Sequence, residues 1–320
     1  MTDASLLWRA LQLAERGRGS TAPNPVVGAV VARKGVVLGE GWHERPGGPH
    51  AEVVALEAAG RRTKGATLYV TLEPCAHHGR TPPCADAVVA AGIARVVAAV
   101  GDPDPRTNGA GFERLRAAGI EVELAGGELE WLARAQNAPF RTWAALGRPF
   151  VLCKLAVTLD GRVTVPGSRW VSGEESRRRV HELRARMDAV GVGLGTVRAD
   201  APSLTARDVD AVRQPRRLAF GRGPLPEGSE LELRSGPLEE ELAALAEEGV
   251  QSLLLEGGPT LATAFLAAGL VDALLLFVAP TIAGSGPRFL GELPEARHLL
   301  HADVERLGDD VVLSGYLREP

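Results

Sequence analysis

The chain has 320 residues, 45% of them hydrophobic, and this length and composition favour two globular domains. Its formal net charge of −4 argues against a nucleic-acid-binding surface or attachment to an anionic membrane. No apolar run approaches the roughly 20 residues that span a bilayer. Three cysteines are too few for a disulfide framework, and the N-terminus lacks the basic segment of a secretory signal, so we expect a cytoplasmic protein.

The first part of the chain alternates helical and extended patterns. A helix is predicted over 5–17, and strands over 26–32 and 36–42 are predicted to pair as a hairpin. The prolines on either side of Asn24 predict an extended conformation at that residue. The following helices are predicted at 51–59, 84–91 and around Leu115, and the following strands at 66–72, 95–100 and 121–124. This alternation predicts an α/β sandwich with a partly parallel sheet.

A break in the pattern divides the chain in two. Residues 128–147 read as an apolar-faced helical segment, and Gly147-Arg148-Pro149 ends it. The alternation of strands and helices then starts again with an apolar run. We therefore predict two domains, 1–147 and 148–320.

The second domain also alternates strands and helices. Its first helix is predicted over 172–187, with Ser172 as the N-cap residue and acidic residues in the first turn. Gly191, Gly193 and Gly195 do not continue into a GxGxxG motif, which argues against a Rossmann dinucleotide site. The other strands are predicted at 150–159, 189–194, 217–220, 252–255, 273–279 and 311–317, with helices at 239–248 and ending at 268.

The segment from 49 to 84 carries the residues with metal chemistry. His50, Cys75 and Cys84 offer one nitrogen and two sulfur ligands, which suit tetrahedral zinc with a fourth position open for a water. Glu52 follows His50 by two residues, a spacing that aims its carboxylate at that water rather than at the metal. His-x-Glu followed by Pro-Cys is the pattern of zinc nucleobase deaminases, although eight residues separate the two cysteines here instead of two. We expect the three ligands at or near helix starts.

A second candidate site lies in the second domain. The segment Glu256-Gly257-Gly258-Pro259-Thr260 joins a strand to a helix, and such a turn lets a phosphate approach backbone N–H groups at the helix start. An ordinary strand–helix loop has the same composition, so both interpretations stay open from this segment alone. Lys154 and Asp160 flank another strand end.

These segments together resemble the bifunctional riboflavin-biosynthesis deaminase/reductase family over nearly the whole chain. The long separation of Cys75 and Cys84, unusual for a generic deaminase, is a feature of that family. The matching segments of the first domain are Pro23-Asn24-Pro25, Val27-Gly28, Pro49-His50-Ala51-Glu52, Thr71-Leu72-Glu73-Pro74-Cys75 and His78-Gly79-Arg80-Thr81-Pro82-Pro83-Cys84. Those of the second domain are Lys154-Leu155, Leu159-Asp160-Gly161-Arg162, Gly195-Thr196-Val197, Ala199-Asp200 and Glu256-Gly257-Gly258-Pro259-Thr260-Leu261.

The resemblance implies a fold and two reactions. The fold would be α/β, with an N-terminal cytidine-deaminase-like α/β/α domain and a C-terminal dihydrofolate-reductase-like α/β domain. The first domain would use one zinc ion to hydrolyse the amidine-type amino group of 2,5-diamino-6-ribosylamino-4(3H)-pyrimidinone 5′-phosphate. The second would use NADPH to reduce the ribosyl group of 5-amino-6-(5-phosphoribosylamino)uracil to ribityl. Small pyrimidine ribosyl phosphates are thus the expected partners, with no nucleic acid or membrane, and a homo-oligomer, either a dimer or a tetramer, is expected.

The resemblance also assigns roles to residues that match the family's motifs. Glu52 would donate and accept protons in the deaminase, and Lys154 and Asp200 would serve catalysis in the reductase. The deaminase substrate would be held by Asn24, His43, His77, Arg80, Asp102 and Asp104. NADPH would contact Ala156, Trp170, Thr196, Asp200, Gly258, Pro259, Thr260 and Leu261. The reductase substrate would be held by Ser168, Leu204, Arg207 and Glu256. The segment 218–223 departs from the family, which leaves cofactor contacts around residue 221 open.

Two other functional classes remain open at this point. One is a generic nucleoside, nucleotide or tRNA deaminase with an unrelated second domain, although the acidic charge and the lack of a basic stripe argue against tRNA. The other is a non-enzymatic zinc module, against which stand Glu52 and the open ligand position. Oxidation of NADPH with the deaminated intermediate alone would separate the three.

Overall fold

The computed structural model describes residues 1–79, 82–105 and 107–320. The chain divides into two compact units, Met1–Leu146 with Pro320, and Gly147–Glu319. Both units mix helices with a β-sheet, so the predicted α/β class is confirmed. Among the described residues, no helix has the length and apolar character needed to cross a bilayer.

The first unit is built on a five-stranded sheet. Its strands are β1 (Gly28–Arg33), β2 (Val36–Trp42), β3 (Thr67–Val70), β4 (Arg95–Ala98) and β5 (Glu121–Leu124). Their order is β2-β1-β3-β4-β5; β1 is antiparallel to both its neighbours, and β3, β4 and β5 are parallel. The predicted hairpin is confirmed: Lys34 and Gly35 turn the chain between β1 and β2 with φ of 49° and 76°.

Helices pack on both faces of this sheet. They are α1 (Asp3–Ala14), α2 (Ala51–Ala59), α3 (Cys84–Ala90), α4 (Ala110–Ala117), α5 (Gly127–Gln136) and α6 (Ala138–Leu146). Ala29 and Val31 of β1 pack with α2, α3 and α4, whereas Val30 and Ala32 pack with α1 and α5. Alternate residues of a strand point to opposite faces, which explains why β1 is apolar at every one of these positions.

Two local predictions for the first unit were wrong. Asn24 does not lead straight into a strand: it lies at a bend, and its N–H donates to the carbonyl of Thr21 at 2.8 Å and closes a turn. The helical segment over 128–147 is two helices, because Asn137 interrupts it. The Asn137 side chain accepts the N–H of Val26 and donates to its carbonyl, both at 2.9 Å, so this residue ties the junction of α5 and α6 to the segment before β1.

The second unit contains an eight-stranded sheet. Its strands are β6 (Phe150–Thr158), β7 (Ala189–Gly193), β8 (Arg216–Phe220), β9 (Glu232–Arg234), β10 (Ser252–Leu255), β11 (Ala273–Ala279), β12 (Leu300–Leu307) and β13 (Asp310–Tyr316). The order is β12-β13-β11-β6-β10-β7-β8-β9, parallel from β11 to β9 and antiparallel at β12 and β13. The sequence did not predict β9 or β12.

Four helices are described in this unit: α7 (Glu174–Arg186), α8 (Leu194–Asp200), α9 (Leu238–Glu247) and α10 (Pro259–Ala267). Leu253 and Leu255 of β10 pack with α9 and α10, whereas Leu254 faces the cluster that contains Val197 of α8. Cys153 is fully buried in the first of these clusters, as expected for a small apolar side chain.

The start of α7 differs from the prediction. Its N-cap residue is Gly173 and not Ser172, and glycine has no side chain that could bond to the first turn of the helix. The carboxylate of Asp310, at the start of β13, accepts instead the N–H of Gly173 at 2.8 Å and the hydroxyl of Ser176 at 2.5 Å. An acidic group at a helix N-terminus stabilises the unpaired N–H groups there, wherever in the sequence it comes from.

Candidate active sites

Three metal-binding side chains meet in the first unit. His50 is the N-cap residue of α2, and Cys84 is the first residue of α3. Cys75 lies in the loop after β3, but its Sγ accepts the N–H of Cys84 at 3.3 Å, so the thiol also lies at the start of α3. His50 Nδ1 is 3.0 Å from Cys84 Sγ and 3.6 Å from Cys75 Sγ, and the three ligand atoms lie within 4.8 Å of one another.

This donor set fits zinc. A tetrahedral zinc ion with Zn–S and Zn–N bonds of about 2.3 and 2.0 Å holds its ligand atoms roughly 3.5–3.8 Å apart. The 3.6 Å between His50 and Cys75 lies in this range, and the 3.0 Å between His50 and Cys84 is shorter. A hydrogen bond from the Cys84 thiol, with the His50 ring beside it, lowers the pKa of Cys75, which favours the thiolate form that metals bind. Three protein ligands leave one position for a water, as in catalytic zinc sites.

Glu52 lies beside the three ligands in the first turn of α2 and is only 3% exposed. Burial raises the pKa of its carboxyl to about 7, because the charged form loses hydration. A group with a pKa near the working pH can both accept and return a proton. The position of Glu52 therefore suits acid–base catalysis next to the metal.

A cavity of about 400 Å³ opens onto this cluster. The predicted residues that line it are Asn24, His43, His50, Glu52, Cys75, His77, Asp102 and Asp104. Arg80 lies outside the described residues. Among the other lining residues, Glu73, Thr107 and Phe140 were not predicted as site residues. Glu73 stands in a matched motif and could have been noticed there, whereas no local pattern marks the other two.

The second unit contains a cavity of about 830 Å³. The predicted residues that line it are Lys154, Ala156, Trp170, Thr196, Asp200, Leu204, Arg207, Glu256, Gly258 and Pro259. Ser168, Thr260 and Leu261 do not line it. The Ser168 hydroxyl donates to the carbonyl of Trp170 at 2.8 Å and accepts its N–H at 3.2 Å, so it shapes the turn that presents Trp170. Thr260 is exposed, and Leu261 packs beside Gly257.

A buried cation lies on the wall of this second cavity. The Lys154 side chain, on β6, is 15% exposed, and burial lowers its pKa. The nearest carboxylate is that of Glu256, 4.0 Å from the Lys154 ammonium. Arg184 holds Glu256 from the other side through two hydrogen bonds of 2.6 and 3.0 Å. The negative charge of Glu256 is thus shared between two cations.

One face of α7 supplies residues that the sequence analysis missed. Arg177, His181 and Arg184 follow one another at intervals of four and three residues, which places them on the same side of a helix, and all three line the cavity. His181 Nδ1 and an Arg184 amino group lie 3.1 and 3.2 Å from the carbonyl of Thr205. The Arg177 guanidinium lies 5.3 Å from the ring centroid of Trp170. The sequence does not single out this face, because Arg178, Arg179 and Arg186 place basic side chains on other sides of the same helix.

Comparison with known proteins places both units in one family. The family model "RibD C-terminal domain" matches residues 149–313, and "Cytidine and deoxycytidylate deaminase zinc-binding region" matches residues 1–100. The riboflavin biosynthesis protein RibD of Aquifex aeolicus is 41% identical over an alignment that covers 97% of each chain.

Solved structures agree with this assignment. A structure of RibD from Acinetobacter baumannii is similar with a TM-score of 0.87 and 37% identity over 98% of both chains. A diaminohydroxyphosphoribosylaminopyrimidine deaminase/5-amino-6-(5-phosphoribosylamino)uracil reductase from Thermotoga maritima gives 0.84 and 34%, again over 98% of both chains. The resemblance inferred from the sequence motifs is confirmed, and the chain belongs to the RibD family of bifunctional deaminase/reductases of riboflavin biosynthesis.

Proposed function

We propose that the first unit hydrolyses 2,5-diamino-6-ribosylamino-4(3H)-pyrimidinone 5′-phosphate and that the second reduces 5-amino-6-(5-phosphoribosylamino)uracil with NADPH. One observation carries the deaminase assignment: Glu52 is buried beside His50, Cys75 and Cys84 at a cavity large enough for a small molecule. A structural zinc site needs no such acid, which argues against a non-catalytic module. Family membership over both units argues against a generic deaminase with an unrelated second domain.

In the deaminase, His50, Cys75 and Cys84 hold the zinc ion. When bound, zinc supplies Lewis-acid activation of the attacking water. Glu52 would take one proton from the attacking water and pass it to the departing amino group, while the second proton of that water ends on the ring nitrogen. A C–O bond thus forms, the C–N bond breaks, and ammonia leaves a carbonyl group behind. Burial raises the pKa of this carboxyl, which brings it closer to neutral pH and suits a group that takes up and returns a proton.

The remaining residues of the first cavity hold the substrate in this proposal. Asn24 and His77 offer donors and acceptors to a pyrimidine or sugar edge, His43 orients Asn24, and Asp102 and Asp104 offer acceptors. Arg80 is assigned to the 5′-phosphate by the family motif, because its planar guanidinium forms paired hydrogen bonds with phosphate oxygens.

In the reductase, NADPH supplies a hydride, and reduction of ribosyl to ribityl also consumes one proton. We assign that proton to Lys154, whose lowered pKa makes its ammonium group a better donor than an exposed lysine, with Asp200 as a second catalytic group. NADPH is assigned to Ala156, Trp170, Thr196, Asp200, Gly258 and Pro259, with Thr260 and Leu261 behind them. The substrate is assigned to Leu204, Arg207 and Glu256, with Ser168 holding the adjacent turn.

The proposal includes a cytoplasmic homo-oligomer. Cys75, Cys84 and Cys153 are all free thiols, which suits a reducing compartment. Light scattering on the purified protein would measure its mass in solution. A mass equal to that of one chain would contradict the proposed homo-oligomer. Fractionation of cells would test the location.

The deciding experiment is Glu52→Gln, with Glu57→Gln as its control on the exposed side of the same helix. Gln keeps the size of Glu but cannot carry the two proton transfers, so ammonia release should fall by about 10²–10⁴. Zinc should stay bound, and NADPH oxidation with pre-deaminated substrate should be unchanged. Normal ammonia release would remove the role of Glu52. Loss of both activities in a folded, zinc-loaded variant would contradict independent action of the two units.

A further inference from the structure

The carboxylate of Glu73 accepts four backbone N–H groups from a single segment of the chain. Its Oε2 accepts those of Asp102 at 3.1 Å and Gly109 at 3.0 Å, and its Oε1 accepts those of Gly111 at 2.8 Å and Phe112 at 3.2 Å. The residue is only 4% exposed. The N-cap residue of α4 is Gly109, which has no side chain, so Glu73 is the anion that stabilises the start of this helix.

This side chain joins two loops that both reach the deaminase cavity. Glu73 precedes the zinc ligand Cys75 by two residues, and its own N–H donates to the carbonyl of Val100 at 3.0 Å. The start of α4 also packs directly on the same loop, because a Cβ added at Gly111 would lie 1.9 Å from the carbonyl oxygen of Pro74. The ligand loop and the helix start therefore form one packed unit.

The segment between these contacts carries two of the residues assigned to the substrate. Asp102 and Asp104 line the cavity, and the N–H of Asp104 donates to Asp102 Oδ1 at 2.9 Å. Both ends of the segment, at Asp102 and at Gly109, donate to the same oxygen of Glu73. One carboxylate, two residues before Cys75, thus holds both ends of the segment that carries the two aspartates.

We propose that Glu73 is a positioning residue for deamination, which fixes Asp102 and Asp104 relative to the metal ligands and thereby sets the affinity for the pyrimidine substrate. Glu73 also lines the cavity, but each of its oxygens already accepts two N–H groups, which occupies both lone pairs. It therefore acts through the loop and not on the reacting atoms. The inference rests on the proposed function, because the substrate contacts of the two aspartates belong to it.

The test compares Glu73→Gln with Glu113→Gln, whose side chain is exposed on α4 itself. Gln keeps the shape of Glu, but its NH₂ group cannot accept, so two of the four N–H groups lose their partner. We expect the KM for the diamino substrate to rise about tenfold or more, with kcat changed by less than about threefold. Zinc content and NADPH oxidation with pre-deaminated substrate should match the wild type, and Glu113→Gln should resemble the wild type throughout.

Two further variants keep the test decisive. Asp104→Ala in the Glu73→Gln background should add little to the rise in KM, because both changes act through one loop. If Glu73→Gln does not fold, Gly109→Ala replaces it: Gly109 has φ of 82°, a conformation that alanine disfavours, so the loop end shifts while Glu73 remains. An unchanged KM in these variants overturns the proposal, and so does a fall in kcat with loss of zinc. A wild-type protein that releases no ammonia would instead refute the proposed function.

Discussion

The side-chain amide nitrogen of Asn24 lies 3.0 Å from Nε2 of His43, and Nδ1 of His43 lies 3.1 Å from the carbonyl oxygen of Pro49. A carbonyl can only accept, so Nδ1 carries the ring proton and Nε2 accepts from Asn24. Burial lowers the pKa of His43, which agrees with a neutral ring that has a single proton. The Pro49 carbonyl, next to the candidate ligand His50, therefore sets the tautomer of His43. That tautomer in turn sets the orientation of the Asn24 amide: its NH₂ group donates to His43, and its Oδ1 is left as an acceptor.

Asn24→Leu tests this arrangement. Leucine has about the size of asparagine but no donor for Nε2, so this nitrogen would lose its partner in a largely buried place. We expect kcat/KM for ammonia release to fall about ten- to a hundredfold, since an unsatisfied polar group of this kind costs about 1–3 kcal/mol. NADPH oxidation in the same preparation is the control and should not change. An unaltered kcat/KM for ammonia release would show that the amide orientation does not matter.

Zinc binding is predicted to depend on Cys84 and not on Cys153. Both thiols are fully buried, but Cys84 lies 3.0 Å from His50 Nδ1, whereas Cys153 lies within the apolar core of the second unit. Serine is a poor zinc ligand compared with a thiolate. After dialysis, elemental analysis should find one zinc ion per chain in the wild type and in Cys153→Ser, and almost none in Cys84→Ser. Undiminished zinc in Cys84→Ser would rule out this ligand set.

The fold could be predicted where the signal was local. The hairpin at Lys34-Gly35 and the apolar strand β10 follow from short patterns of residues. Strand β12 was not predicted, although residues 300–305 alternate between apolar and polar; seven of its eight positions are exposed, so its apolar residues mark no buried face. The cap of α7 was misassigned because Asp310 is more than a hundred residues away in the chain. Cap rules based on neighbouring residues cannot detect such a partner.

The same distinction applies to the sites. His50, Cys75 and Cys84 were recognisable as candidate zinc ligands because the chain has only three cysteines and seven histidines, and these three stand in a known pattern. The pairing of Arg184 with Glu256 depends on how α7 packs beside the loop after β10, which no local motif records. The four contacts of Glu73 are also long-range, since its partners follow it by 29 to 39 residues. Residues that act through packing are therefore found in the structure and not in the sequence.

Lys154, the proposed proton donor of the reductase, is predicted to lower the free energy of unfolding. Burial lowers its pKa below the ordinary value of 10.5, with Glu256 partly opposing the shift. Between the lowered pKa and 10.5, the unfolded chain binds more protons at this residue than the folded chain, so the free energy of unfolding rises with pH in that window. Below the window the folded protein carries a buried ammonium group, and the full penalty applies.

Lys154→Met removes this charge and keeps a side chain of similar length, and Glu256 remains paired with Arg184. NADPH oxidation should fall by at least about 10²-fold, because the proton donor is lost, whereas ammonia release should be unchanged. The Tm of the second unit should rise at neutral pH, and its excess over the wild type should shrink as the pH rises through the window, because the wild-type lysine is then neutral. Lys64→Met, the same change at an exposed lysine of the first unit, should affect neither activity nor the Tm of the second unit. Normal NADPH oxidation in Lys154→Met would contradict the catalytic role, and a Tm difference that does not vary with pH would contradict the electrostatic cost of burying this lysine.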